Sequence, residues 1–205
     1  MVRKANKKIK TPRRSERKVL LIATEGNNKT ETNYFRSFNN RQSEYRIQMA
    51  PGNNTDSIKI VEDLIRAARK EDLDYEYGDA AIAIIDTDFG KEKQIEQARI
   101  IAQKNGITLL LSNPSFEIWF LLHFNFSTKG YTSNEDLLND LRKEWPQYGK
   151  NIQSYSVIEG KEEIAIENAN KMRDYNLNVG NKCDTLYNNP STDVYQLIEM
   201  LLCAE

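Results

Sequence analysis

Histidine and cysteine are nearly missing: the 205-residue chain has one histidine, His123, and two cysteines, Cys183 and Cys203. Two thiols are too few for a disulfide scaffold or a four-thiolate zinc site, and one imidazole excludes a histidine-rich metal centre. Any metal must therefore be held by oxygen. A run of about 18 apolar residues, the minimum for a spanning helix, is also missing. The basic N-terminus lacks the apolar stretch of a secretory signal, so a cytoplasmic location is expected. No G-x-x-x-x-G-K-[ST] phosphate loop occurs, so any ATPase activity must come from a separate protein. What is present suffices for a core: 39% of residues are hydrophobic, enough at this length for one domain with a small annex.

The formal charge of −1 hides an asymmetry. Residues 1–18 hold nine Lys/Arg, Arg13 and Arg14 among them, against the single acid Glu16. The remainder has 20 basic and 29 acidic residues. Residues 1–17 thus read as a flexible basic arm. Its cations suit nucleic acid phosphates, or else solubilise the chain by folding back over an acidic body.

Apolar runs and helical spacings alternate along the first two thirds. Val19–Ala23, Ala80–Ile85 and Ile107–Leu111 read as buried strands, and Tyr45–Met49 alternates like a strand before Pro51-Gly52. Helices are expected over residues 29–39, after a cap at Thr55 or Asp56, over 92–104 and over 115–124. This alternation predicts an α/β fold with a mostly parallel sheet sandwiched by helices, spanning residues 18–126. Trp119, Phe120, Phe124 and Phe126 are assigned to its core. Residues 127–205 read as a helical extension packed on that core, with helices over 133–145 and 161–175. Asn189-Pro190-Ser191-Thr192-Asp193 is expected to cap a closing helix that runs to Leu202.

In such a sheet, ligands sit at the carboxyl ends of the strands. Glu25, Asp86, Asp88 and Glu117 each fall just past a predicted strand end, so acids from distant parts of the chain share one edge. Mg²⁺ and Mn²⁺ prefer oxygen ligands, and Mg²⁺ uses one or two carboxylates with water and substrate phosphate. Asp86 and Asp88 can face one ion, which would stabilise charge at a transferring phosphoryl group. Glu25 is placed to ligate it or to move a proton.

The order strand–Glu25-Gly26, then strand–Asp86-Thr87-Asp88, resembles the Toprim fold of topoisomerases, DnaG-type primases and OLD-type nucleases. Finer details resemble the RloB-like family of bacterial restriction and abortive-infection loci. They are Thr24-Glu25-Gly26 with Lys29-Thr30-Glu31 and Tyr34-Phe35, the string Asn113-Pro114-Ser115-Phe116-Glu117-Ile118-Trp119 through Leu121-Leu122-His123-Phe124, and Asn189-Pro190-Ser191-Thr192. The resemblance implies a Toprim-like, metal-dependent nuclease in anti-phage defence, often encoded beside an AAA-type ATPase.

The candidate site residues follow. Glu25, Asp86 and Asp88 are expected to hold Mg²⁺ or Mn²⁺, against the plainer reading of solvent-facing loop acids. Glu31 either completes that shell or complements a helix dipole. Glu117, costly to bury beside Phe116 and Trp119 without a partner, is expected to act as a ligand or in proton transfer, against the plainer reading of a helix-start acid. Lys29 is a candidate phosphate contact or else a solvated lysine, and Lys91 a phosphate contact or else helix surface, with Arg13 and Arg14 on the arm. Lys93 and Arg99 either continue that path or form an ordinary helix surface. His123 is expected behind the site or in packing, with a general base as the alternative. The expected activity is cleavage of phosphodiester bonds in DNA or RNA. The alternatives are a non-catalytic nucleic-acid or nucleotide sensor and a regulatory subunit of an ATPase complex.

Overall fold

In the computed structural model, which describes residues 17–26, 29–40, 43–87, 90–149 and 155–203, each apolar run becomes a strand. β1 (Lys18–Ala23), β2 (Tyr45–Met49), β3 (Ala80–Asp86) and β4 (Thr108–Asn113) alternate with α1 (Lys29–Ser37), α2 (Ser57–Lys70) and α3 (Glu92–Lys104). Then follow α4 (Glu117–Leu122), α5 (Asn134–Glu144), α6 (Glu162–Asn178), a 3-10 turn (Thr185–Tyr187), β5 (Ser191–Thr192) and α7 (Val194–Leu202). The sheet order is β2-β1-β3-β4-β5. The first four strands are parallel, and β5 runs antiparallel to β4. The chain thus has the expected Toprim-like α/β fold.

Strand side chains alternate between faces, which explains why these runs are apolar throughout: both faces are covered. Leu20, Ile22, Ile82, Ile84 and Leu110 belong to one core, with α1, α4 and the C-terminal helices. Leu21, Ala23, Ala81, Ala83, Ile85 and Leu111 belong to the other, under α2 and α3. Helix α2 supplies Ile60, Val61, Leu64 and Ile65 at helical spacing to that second core. Burying each such side chain contributes about 1.5–3 kcal/mol relative to leaving it exposed. Of the two expected caps, Asp56 is used, accepting from the Lys59 amide at 3.0 Å.

The first core carries the aromatic string. Trp119 donates its indole N–H to the Tyr34 hydroxyl at 2.8 Å, so its one polar atom is satisfied in the interior. The rings of Phe116 and Phe120 pack edge-on to Tyr34. Helices α5 and α6 look polar in sequence, yet each turns a narrow apolar stripe inward: Leu137, Leu138 and Leu141 from α5, Ala165, Ala169 and Met172 from α6. Among the described residues, no helix is long and apolar enough to cross a membrane.

Three expectations need correction. The aromatic helix is shorter than 115–124 and runs over Glu117–Leu122, with the Phe116 amide at its start bonded to Asp86. Phe126 is 42% exposed and lies outside the core, beyond the last turn after α4. Ser191 and Thr192 form a strand instead of helix-capping loop: Ser112 pairs with Thr192 and Asn113 with Ser191. A two-residue strand is too short to leave a periodic signal. Asp193 still precedes α7, but its carboxylate accepts from the Leu111 amide at 3.1 Å and the Thr185 hydroxyl at 2.7 Å.

Candidate functional site

The candidate site is built by sheet order. β1 and β4 flank β3, all three parallel, so their carboxyl ends open on one edge. Glu25 lies two residues past β1, Asp86 is the last residue of β3, and Glu117 opens α4 after the turn leaving β4. Gly26 closes the β1 turn at φ +57°, a left-handed conformation that favours glycine. Its amide donates to the Asn54 carbonyl at 2.6 Å, tying this turn to the segment before α2. The Thr87 amide donates to the Ser112 carbonyl at 2.9 Å, so β3 and β4 stay paired up to the edge.

Hydrogen bonds fix the acids there. Asp86 Oδ1 accepts from the Phe116 amide at 2.8 Å, which brings the end of β3 to within one residue of Glu117. Glu117 is held on both oxygens: Ser115 Oγ donates to Oε2 at 2.7 Å, and the Tyr148 hydroxyl donates to Oε1 at 3.1 Å. Glu31, in the first turn of α1, is buried. Burial raises the Tyr148 phenol well above its ordinary range, and the charges of Glu117 and Glu31 raise it further. Burial and the Glu31 charge likewise raise the Tyr155 phenol. Tyr155 donates to the Thr30 carbonyl, beside Glu31. A protonated phenol is a hydrogen-bond donor, and Tyr148 directs its hydroxyl to the Glu117 carboxylate.

Oxygen donors of this kind suit Mg²⁺ or Mn²⁺. Among the described residues, however, no group of three or more His, Cys, Asp or Glu side chains is assembled closely enough to hold a metal ion. Asp88, Arg13, Arg14 and the Lys29 side chain lie outside the described residues, so the D-x-D pair is represented by Asp86 alone. Lys91 occupies the position immediately before α3, and its carbonyl accepts from the Gln94 and Ile95 amides. Lys93 is exposed on α3. Arg99 is committed elsewhere, to Asp184 at 2.9 and 3.0 Å and to Glu96 at 3.2 Å.

His123 sits among rings. Its Nδ1 lies 2.9 Å from the Trp119 carbonyl, and the ring packs edge-on to Trp119 and Tyr34. Burial pulls its pKa down to about 4, so the imidazole is neutral at physiological pH. Its placement is that of a packing residue.

Sequence reasoning missed Tyr148 and Tyr155, which come from the extension to the Glu117 carboxylate and the Thr30 carbonyl. Neither stands in a periodic pattern. The one available signal was that Glu117, embedded in an aromatic string, requires a partner.

These features define a class: a Toprim-like α/β domain with acids placed along the carboxyl edge of its sheet. The chain matches the RloB-like protein family over residues 20–201, nearly its whole length, and belongs to that family. Neither a curated protein nor a solved structure matches it significantly.

Proposed function

We propose that this chain is a divalent-metal-dependent nuclease that cleaves phosphodiester bonds in DNA or RNA. The observation that carries the reading is the placement of Glu25, Asp86 and Glu117 past the carboxyl ends of three neighbouring parallel strands, with Asp86 accepting from the Phe116 amide next to Glu117. Glu25, Asp86 and Asp88 would hold Mg²⁺ or Mn²⁺, with Glu31 as a further ligand. The ion, when bound, would supply charge stabilisation at the phosphoryl oxygens and a more acidic water. Glu117 accepts from two hydroxyls, which orient its carboxylate for proton transfer to or from that water. Lys29 and Lys91 lie at or just before helix starts, where phosphate is favoured, and Arg13 and Arg14 add sequence-independent attraction. In keeping with the family, the cytoplasmic role would be anti-phage defence by abortive infection, together with a partner AAA-type ATPase.

A second reading has an observation of its own. Since no three-residue metal-ligating group is assembled among the described residues, a non-catalytic sensor of nucleic acid or nucleotide, acting as regulatory subunit of an ATPase complex, is the competitor. One experiment separates the two. Nucleic acids are sequenced from cells expressing the wild type, Asp86→Ala or Glu25→Gln, with the partner ATPase present. Cleavage in the wild type that is abolished in both variants, and by EDTA in vitro, supports the nuclease. Binding without any product supports the sensor. Undiminished cleavage by both variants would sink the assignment of the edge.

A further inference from the structure

We infer that a second site, apart from the acidic edge, binds the phosphate monoester of a nucleotide. It is a cavity of about 580 Å³ bounded by α3, α6, the 3-10 turn and the start of α7. That volume lies in the range of about 300–1,000 Å³ usual for small-molecule sites. None of Glu25, Glu31, Asp86 or Glu117 lines it.

Its floor is polar and buried. Thr185, Ser191 and Thr192 are 8%, 7% and 3% exposed, and all three line the cavity. Their hydroxyls are paired: Thr185 Oγ1 lies 3.1 Å from Ser191 Oγ and donates to Asp193 at 2.7 Å, and Thr192 Oγ1 lies 2.8 Å from Ser112 Oγ on β4. Burying polar groups is unfavourable unless they are paired, and here the pairing is complete enough to hold a rigid wall of oxygens. Such a wall does not suit an apolar ligand.

Two guanidinium groups and two carboxylates also line the cavity: Arg99 from α3 and Arg173 from α6, with Asp184 and Asp193. Asp193 is occupied by the Leu111 amide and the Thr185 hydroxyl. Arg99 is locked in a two-bond fork on Asp184, so it is a fixed cation with part of its charge offset. Arg173 is held more loosely. It donates to the Tyr195 hydroxyl at 3.2 Å and to Asp174 at 3.5 Å, both near the long limit for a hydrogen bond. A guanidinium has five N–H donors, so Arg173 retains capacity for an oxyanion at the cavity. A dianionic phosphate group satisfies it better than a carboxylate or a neutral group does. Asn188 and Gln196, on the same cavity, carry side-chain amides, the group type that pairs with the hydroxyl and base edges of a nucleoside. A free nucleoside monophosphate and the terminal phosphate of a nucleic acid strand share this chemistry.

Calorimetric titration of the full chain in EDTA tests the site without reference to metal or cleavage. Adenosine monophosphate and inorganic phosphate should bind, whereas adenosine should not. Arg173→Gln should weaken adenosine monophosphate binding by about tenfold or more, the loss of one charge-assisted hydrogen bond. Arg173→Lys should restore part of it, with thermal midpoints unchanged in both variants. Asp86→Ala should bind like the wild type, so a failed nuclease assignment leaves this result intact. Displacement of adenosine monophosphate by a 5′-phosphorylated oligonucleotide would assign the strand end, and its failure to compete would assign the free nucleotide. No heat from phosphate and adenosine monophosphate at millimolar concentration, or unchanged affinity in folded Arg173→Gln, overturns the proposal.

Discussion

Strand β3 is flanked by an aspartate at each end, and the two are used differently. Asp79, just before it, is 4% exposed and accepts from two backbone amides, Val19 at 2.7 Å and Asp74 at 2.9 Å. It ties the start of β1 to the loop that feeds β3. Asp86, at the other end, is half-buried and accepts from the Phe116 amide. One residue type thus closes the amino edge and opens onto the carboxyl edge. The lesson is that the partners of an acid separate a structural carboxylate from a candidate chemical one, where residue type does not.

The largest effect on folding should accordingly fall at the amino edge. Asp79→Ala leaves one buried and one part-buried amide without their acceptor, at about 1–3 kcal/mol for each, so a loss of about 4 kcal/mol is expected. Asp86→Ala strands one amide at a partly open edge, and about 1–2 kcal/mol is expected on the same scale. Urea unfolding of the two variants measures the difference. Equal losses would mean that Asp86 is also a structural tie, and would weaken the case built on the carboxyl edge.

This contrast also marks what the sequence made legible. The four parallel strands and their helices could be read because each strand is buried on both faces and therefore continuously apolar. The position of Glu25, Asp86 and Glu117 along one edge followed from that topology and needed no side-chain detail. What could not be read came from long-range hydrogen bonds of single polar residues. Asp79 looks like a loop acid until Val19 is found on it, and Tyr148 looks like a stray aromatic until Glu117 is found. Ser191 and Thr192 join the sheet through two pairings, too few for any pattern.

Between the edges lies the aromatic core, where a pH dependence sharpens the comparison. His123 is 2% exposed, and burial, with a smaller contribution from the Lys161 charge, lowers its pKa from 6.5 to about 4. Above pH 6.5 the imidazole is neutral in both folded and unfolded chains, and its packing contribution is intact. As the pH falls from 6.5 towards 4, the unfolded chain takes up the proton while the folded chain resists it, so stability is lost. The full loss is about 3 kcal/mol, because each tenfold drop in proton affinity on folding is worth about 1.4 kcal/mol. His123→Phe should flatten the stability curve between pH 6.5 and 4 relative to the wild type, whatever its stability at pH 7.5. A parallel pair of curves would show that the imidazole is protonated inside the fold and that its placement among the rings has been misread.

The smallest effect should come from Tyr148, the residue that carries the extension to the carboxyl edge. Tyr148→Phe removes one hydroxyl and keeps the ring packed against Phe120 and Trp145. Glu117 retains its bond from Ser115 at 2.7 Å, so its carboxylate is not stranded. One lost hydrogen bond of this kind costs about 1 kcal/mol, well below the figure for Asp79. If orientation of Glu117 is the purpose of the contact, cleavage by Tyr148→Phe should fall, but less than by Glu117→Gln, which removes the carboxylate itself. A Tyr148→Phe protein as unstable as Asp79→Ala would place Tyr148 with the structural ties of the amino edge. Unchanged stability and unchanged cleavage would show that Ser115 alone positions Glu117, and that the extension meets the sheet there only as packing.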